Sequence, residues 1–474
     1  MKKRMYLCMV LVIIGLLTIL QIAAAQENPV PGQAIMKTSQ NGKPDNILQG
    51  SGFRVKDSIP GSQTYLIETD AGDDFDAIMD DLEADSQVIF IEPNYMVALP
   101  ENFQMSISFP DDRFPPLLVG EEPSDFFKQS SLYSIGFEQA HEIATGENIT
   151  VAVIDNGVDF NHPYLSSRLL AGGYDFISKD NDPGYEIGEF SSHGTFVSGL
   201  IALMAPDCQI LPLRSFNGDG TGNIYAIAEA IYFAAEQGAD VINMSFGTVK
   251  SCRILAQANN YAIMRGISMV AASGNNSFDT PIYPAALPGV IAVSGIDSED
   301  MFTSFSNYGD YIDICAPAVD LYSTLAGDDT WGTWSGTSFA APFITAACAL
   351  VKQVSPDYST FIMQEHIRQT AETEFLWGTL NTPDPYYGYG RINVYDAVSL
   401  TEQDLNLEYG DLNGDGLVNN SDVLLLIEHI CTMGPPPTHP GNPDVNCDGV
   451  VDEFDIEYFI NRVFYQGPRS GRCK

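Results

Sequence analysis

Short apolar runs alternate with amphipathic stretches along most of this chain. After a leader, Gln33–Thr38 and Thr64–Glu68 read as strands, Phe75–Glu83 as an amphipathic helix, and Gln87–Ile91 as a further strand ending at Glu92-Pro93-Asn94. Strand, strand, helix, strand on so few residues predicts a small open-faced α/β sandwich. From about Phe126 to Val398 the pattern changes. Ile149–Ile154, Gln209–Leu213, Val241–Met244, Ser268–Ala272 and Val290–Val293 are short β-rich runs, and Gly194–Met204, Ile224–Gln237 and Ser338–Val354 are helical segments between them. Strands apolar on both sides, alternating with helices, predict a parallel sheet covered by helices on both faces. The expected class is therefore α/β, with a small N-terminal α+β domain in front.

Lys2, Lys3 and Arg4 precede an uncharged, mostly apolar run from Met5 to Ile22, and Ala23-Ala24-Ala25 offers small residues for cleavage before Gln26. This predicts a signal peptide over 1–25 and an exported protein. No other uncharged run approaches membrane-spanning length. A polar, Pro-rich stretch from Pro100 to Pro123 predicts an exposed, cleavable connector. The expected organisation is 26–99 as a first domain, 100–125 as connector, 126–400 as the large domain and 401–474 as an acidic terminal module.

Composition narrows the function. The 474 residues carry 22 Lys plus Arg against 62 Asp plus Glu, a formal net charge of −40, and such a polyanion repels phosphate backbones. Nucleic-acid binding is excluded on that ground. Eight Cys are too few for a disulfide scaffold, and losing Cys8 with the leader leaves an odd number, so at least one thiol stays free or pairs with another chain. Cys315 and Cys348, flanked by apolar residues, predict buried packing.

Three short segments carry candidate chemistry. Asp155 closes an apolar strand, and strand carboxyl ends face the ligand crevice of an α/β sheet. His193 opens a helix with an apolar stripe of Phe196, Val197, Leu200 and Ile201. Ser338, after Gly336 and Thr337, sits at the start of a long apolar helix. Each alone reads as a cap or turn residue. Together they are the parts of an Asp–His–Ser relay, in which the imidazole removes the hydroxyl proton and the carboxylate holds the imidazole. The order Asp, His, Ser excludes an α/β-hydrolase elbow, which also needs Gly where Ala340 stands.

These blocks, Ala152–Asp159, His193–Gly199 and Gly336–Pro342, resemble the subtilisin-like serine proteases across about Phe126 to Val398. The resemblance implies Asp155, His193 and Ser338 as catalytic triad and Asn275, in Val270–Asn275, as the side-chain donor to the oxyanion, a contribution of ~2.7–4 kcal/mol. It implies that Gly220-Thr221-Gly222 and the segment Asn243-Met244-Ser245-Phe246-Gly247, at Ser245, Phe246 and Gly247, pair with an extended protein or peptide substrate. Asn156, Phe196 and Phe339 depart from the family's usual residues without removing a reacting atom. Ile282, before Tyr283-Pro284, is expected at the floor of the primary specificity pocket, making it shallow. Pro31–Lys37 and Ile91–Asn94 resemble the ends of a subtilisin-type propeptide, implying a zymogen released somewhere between Leu99 and Asp125.

The terminal module repeats a motif. Asp411, Asn413, Asp415, Leu417, Asn419 and Asp422 recur as Asp444, Asn446, Asp448, Val450, Asp452 and Asp455, at loop positions 1, 3, 5, 7, 9 and 12 with Gly416 and Gly449 at position 6. Side-chain oxygens at five of those positions and a backbone carbonyl at 7 fit a Ca2+ cage. Each loop leads into an apolar helix, Val423–Ile430 or Ile456–Phe464, which resembles a type I dockerin and implies a cohesin-like partner. The family leaves room for further Ca2+ in the peptidase unit. Cys447 and Cys473 are expected to clasp the end of this module. The expected function is a secreted serine endopeptidase. The rival is a catalytically dead, calcium-stabilised adhesion or scaffolding protein, disfavoured because triad and donor are all present.

Overall fold

The computed structural model describes residues 28–69, 75–100, 124–327, 330–373 and 383–400, together with Leu426. The leader, most of the connector and the paired acidic loops lie outside the described residues, as do Cys447 and Cys473.

The N-terminal unit consists of β1 (Pro29–Thr38), β2 (Arg54–Ile59), β3 (Thr64–Glu68), α1 (Phe75–Glu83) and β4 (Val88–Ala98). The strands pair antiparallel in the order β2-β3-β1-β4. Two features differ from the sequence expectation. β2 was not anticipated, because Arg54, Lys56, Asp57 and Ser58 leave little apolar signal, and a register shift between Val55 and Asp57 breaks its alternation. β4 does not stop at Glu92-Pro93-Asn94 but runs through it. Pro93 lacks an N–H, yet it lies beside a register irregularity in the β1–β4 pairing, where a missing donor is tolerated.

The larger unit is built on seven parallel strands: β5 (Thr150–Asp155), β6 (Tyr174–Asp175), β7 (Gln209–Arg214), β9 (Val241–Met244), β10 (Ser268–Ala272), β11 (Val290–Ile296) and β12 (Ile314–Pro317), ordered β12-β11-β10-β9-β5-β7-β6. Helix α2 (His193–Met204) precedes β7, while β8 (Thr221–Asn223) and α3 (Ile224–Glu236) follow it. Next come α4 (Arg253–Ile263), an antiparallel hairpin of β13 (Leu321–Leu325) and β14 (Thr330–Trp334), and α5 (Thr337–Val354). Strand faces alternate cleanly. Val151 and Val153 of β5 join the core containing α2 and α5, whereas Ala152 and Ile154 join the core containing α3 and α4. Strand order reverses on either side of β5, so the crevice at its carboxyl end is the topological switch point.

The two units share a sheet. β4 pairs antiparallel with β8, making a fifth strand on the N-terminal sheet. One sheet face, with Ala34, Met36, Ile67 and Ile91, closes on Leu82 of α1. The other contributes Ile35, Leu66, Phe90 and Val97 to the core holding α3 and α4. Glu92 and Asn94 complete the junction. The Glu92 carboxylate accepts the backbone N–H groups of Arg253 (2.9 Å) and Ile254 (2.8 Å) at the start of α4, and Asn94 Oδ1 accepts from Tyr225 N–H (3.1 Å) at the start of α3. These are helix caps supplied from another unit. Burial raises the Glu92 pKa against the lowering effect of its two N–H partners and Arg253. The docked form thus holds a proton on Glu92 more tightly than the free form, so docking is strengthened as pH falls through the window just above the ordinary carboxylate range. Glu92→Ala should weaken docking by about 0.5–2 kcal/mol per lost cap, read as earlier release of the N-terminal unit in a urea titration of the full chain.

Candidate active site

Asp155 ends β5 and is buried; its Oδ1 accepts the N–H of Asn156 (2.8 Å) and lies 2.8 Å from His193 Nδ1. With Nδ1 committed to that carboxylate, Nε2 is the basic nitrogen of the ring. His193 is the first residue of α2, and the approach is close: a Cβ on Gly194 would stand 2.3 Å from the Gly157 carbonyl, so glycine is required there. Asn156, one of the departures from family pattern, fastens this junction. Its Oδ1 accepts Gly194 N–H (2.9 Å) and its Nδ2 donates to the Phe190 carbonyl (2.5 Å).

The other two departures are neighbours. The rings of Phe196 and Phe339 stand 4.7 Å apart, and Phe339 and Trp334 lie 5.3 and 5.9 Å from the His193 ring. An aromatic wall thus backs the imidazole, and a large residue at 196 is matched by one at 339. Sequence spacing could not reveal that the two substitutions touch.

Ser338 lies in the first turn of α5, fully buried, and donates through Oγ to the Ser245 carbonyl at 3.2 Å. Ser245 Oγ in turn donates to the Ser338 carbonyl at 2.7 Å. Pro342 explains that bond. It stands four residues after Ser338 and has no N–H to offer, so the Ser338 carbonyl loses its helical partner and takes a side-chain donor instead. Asn243 Nδ2 donates to Ser245 Oγ (2.9 Å), and Thr345 Oγ1 donates to Asn243 Oδ1 (2.8 Å), extending the chain of bonds into α5. Sequence reasoning missed Asn243 and Thr345 as supports; the proline inside an otherwise good helix was the available signal.

Asn275 is also buried. Its Oδ1 accepts from Thr337 N–H (2.8 Å) and Thr337 Oγ1 (2.9 Å), which fixes its amide nitrogen as the donor end of the side chain, pointing away from Thr337. Thr337 is a third support that the sequence reading did not single out.

Gly220, Thr221 and Gly222 line one side of a slot and Ser245, Phe246 and Gly247 the other. The tail of β4 lies between them: Val97 pairs with Gly222 and Ala98 with Thr221 on one side, Ala98 bridges Gly247 on the other, and Leu99 N–H donates to the Gly220 carbonyl (2.9 Å). Pro100, expected in an exposed connector, is buried. Ile282 is buried and closes against both neighbouring walls: a Cβ on Gly247 would meet its Cγ2 at 2.2 Å, and one on Gly274 its Cγ1 at 3.6 Å. Cys315 and Cys348 are buried and free, as expected, and burial pushes the Cys348 thiol up to about 12. Among the described residues no group of three or more His, Cys, Asp or Glu side chains could hold a metal ion. The twelve loop residues from Asp411 to Asp455 lie outside the described residues.

A parallel sheet with this strand order, helices on both faces and a strand-wide slot above its switch point defines the subtilisin-like fold. The chain belongs to the subtilase family, whose model matches residues 146–390. It also carries a segment matching the fervidolysin N-terminal prodomain (20–94) and one matching the type I dockerin domain (409–464). It is 40% identical over 259 residues to a thermophilic serine proteinase of Bacillus sp. strain AK1, covering 52% of this chain and 61% of that one. It is 36% identical over 289 residues to thermitase of Thermoactinomyces vulgaris, covering 58% of this chain and 99% of thermitase. Among solved structures, fervidolysin from Fervidobacterium pennivorans, described as a keratinolytic enzyme related to subtilisin, matches with a TM-score of 0.67 and 25% identity, over 79% of this chain and 61% of that one.

Proposed function

We propose that the chain is a secreted serine endopeptidase made as a zymogen. The observation that carries this reading is the slot itself, whose two main-chain edges pair with Val97, Ala98 and Leu99 at the end of β4 as they would with a substrate strand. Pairing through backbone groups is largely blind to side chains, which suits a peptide or unfolded protein substrate. In the proposed reaction Ser338 Oγ attacks the carbonyl, His193 Nε2 takes its proton, Asp155 stabilises the imidazolium, and Asn275 Nδ2 donates to the oxyanion. His193 then returns the proton to the leaving amine, and water hydrolyses the ester. A fluorophosphonate probe tests the reading: the mature protein should label at Ser338. An intact protein that refuses the label would favour the scaffolding alternative.

The Ile282 packing supports a primary pocket suited to small or medium apolar side chains. Ile282→Gly should raise kcat/KM for Phe relative to Ala at that position by at least tenfold, measured on paired peptide substrates. A wild-type profile already dominated by Phe and Tyr would overturn the assignment.

For the terminal module, the donor set is all oxygen and repeats at the same spacing, which fits a hard cation. We assign Ca2+ to Asp411, Asn413, Asp415, Leu417, Asn419 and Asp422, and to Asp444, Asn446, Asp448, Val450, Asp452 and Asp455; when bound it would order the loops. Calorimetric Ca2+ titration of the full chain should lose the corresponding binding in an Asp411→Ala, Asp444→Ala double variant. The dockerin match supports attachment to a cohesin-like partner and an extracellular or cell-surface location.

A further inference from the structure

We propose that Asn156 is a positioning residue for the reaction: one side-chain amide, on the residue after Asp155, brackets His193 and sets where the imidazole meets the carboxylate. The inference rests on the peptidase reading above and adds to it a side chain that acts through the backbone of its neighbours.

The carboxylate alone leaves the imidazole under-determined. Asp155 Oδ1 accepts the Asn156 N–H and faces His193 Nδ1, each at 2.8 Å. Asp155 Oδ2 is buried and has no hydrogen-bond partner among the described residues. A ring held to one oxygen through one nitrogen can swing about that contact, and a swing of about 1 Å at Nε2 is enough to spoil proton transfer from a hydroxyl. Phe339 and Trp334 back the ring. Its distance from Asp155 is set by the main chain that carries it.

That main chain is the first turn of α2, which lacks a cap of its own. Ser192 stands at the N-cap position, but its side chain makes no capping bond; its Oγ accepts the Ala326 N–H (3.1 Å) instead. The first N–H groups of a helix need acceptors from outside it. Asn156 Oδ1 supplies one from the end of β5. It accepts Gly194 N–H at 2.9 Å, at the second helical position, where an N-cap side chain would act. The same amide turns its Nδ2 to the Phe190 carbonyl at 2.5 Å, and that carbonyl also accepts the N–H of His193 at 2.8 Å. Asn156 therefore holds backbone groups on both sides of His193. It is fully buried, so bulk water does not compete for either bond. The position calls for a side chain that donates at one end and accepts at the other. Serine is too short to serve both Phe190 and Gly194. Aspartate has no donor for Phe190 and adds a second negative charge beside Asp155.

The test measures kcat and KM on an unstructured peptide for wild type, Asn156→Ala and Asn156→Ser, each purified after expression of the full-length chain. Fluorophosphonate labelling at Ser338, taken to completion, counts the competent sites. The expected result is a kcat per labelled site about 10- to 100-fold lower in both variants, the scale of a displacement of about 1 Å, with KM unchanged. A residue that only stabilised the fold would reduce the number of labelled sites and leave the turnover of each intact. If the alanine variant fails to fold, the serine variant, which keeps a polar atom at the position, carries the test. Wild-type kcat per labelled site in either variant, or a loss carried by KM, overturns the positioning role and leaves the peptidase reading intact. A folded wild-type chain that takes no label overturns both.

Discussion

Ser338→Ala should yield a chain that folds, keeps its N-terminal unit attached by a continuous backbone and loses nearly all cleavage. The loss in kcat is expected on the order of 10⁶, a scale set by triad deletions in subtilisin, a relative of this chain. Folding should survive because Ser338 sits in an environment held by other atoms. The Ser245 hydroxyl bonds the residue 338 carbonyl, and Phe339 and Trp334 pack the imidazole from behind. Only the Oγ donation to Ser245 is given up. Some acceleration over water should remain, about 10³–10⁴, from binding and oxyanion contacts. Kinetics on an unstructured peptide, with the fragment pattern of the purified chain, checks both halves. Wild-type rates in the alanine variant would remove Ser338 from the chemistry altogether.

Asn275→Ala should cost about 10²–10³ in kcat with little change in KM, since an oxyanion donor acts where charge develops rather than on the bound ground state. The orientation of the amide makes the expectation sharper. Two donors from Thr337 hold Oδ1, so the side chain cannot flip without breaking both bonds. Asn275→Asp keeps the shape and replaces the donor by a carboxylate oxygen aimed at the developing anion, so it should be the worse enzyme of the two. Steady-state kinetics of both variants on one substrate settles the order. An aspartate variant as active as wild type would mean that Asn275 only shapes the loop.

Much of this was legible before coordinates. The strands of the large unit announce themselves because both their faces are buried, so every residue from Val151 to Ile154 is apolar. The candidate reacting residues stand out because each sits at a strand end or helix start that short-range spacing marks. What escaped the reading depends on distant encounters. Asn243 and Thr345 are separated by about a hundred positions and meet only once α5 lies over β9. Phe196 and Phe339 looked like two isolated oddities and are one packed pair. β2 was missed because an edge strand with charged residues carries little hydrophobic signal. The full reach of β4 was missed because Pro93 argues for a stop, while the partner that rewards continuation, β8, comes from another unit.

The shared sheet has a consequence for any form of the protein in which the β4 tail leaves the slot. Withdrawal of the β4 tail would leave two bare strand edges facing each other across the slot, the kind of surface on which chains stick together and grow cross-β stacks. Here the exposed lengths are minimal: β8 is three residues long, and glycines occupy positions 220, 222 and 247. Short, recessed, glycine-bearing edges give an incoming segment a few rungs and no template for a second copy to extend. The same economy that lets the cleft accept a passing strand should keep molecules whose tail has left the slot from aggregating through it.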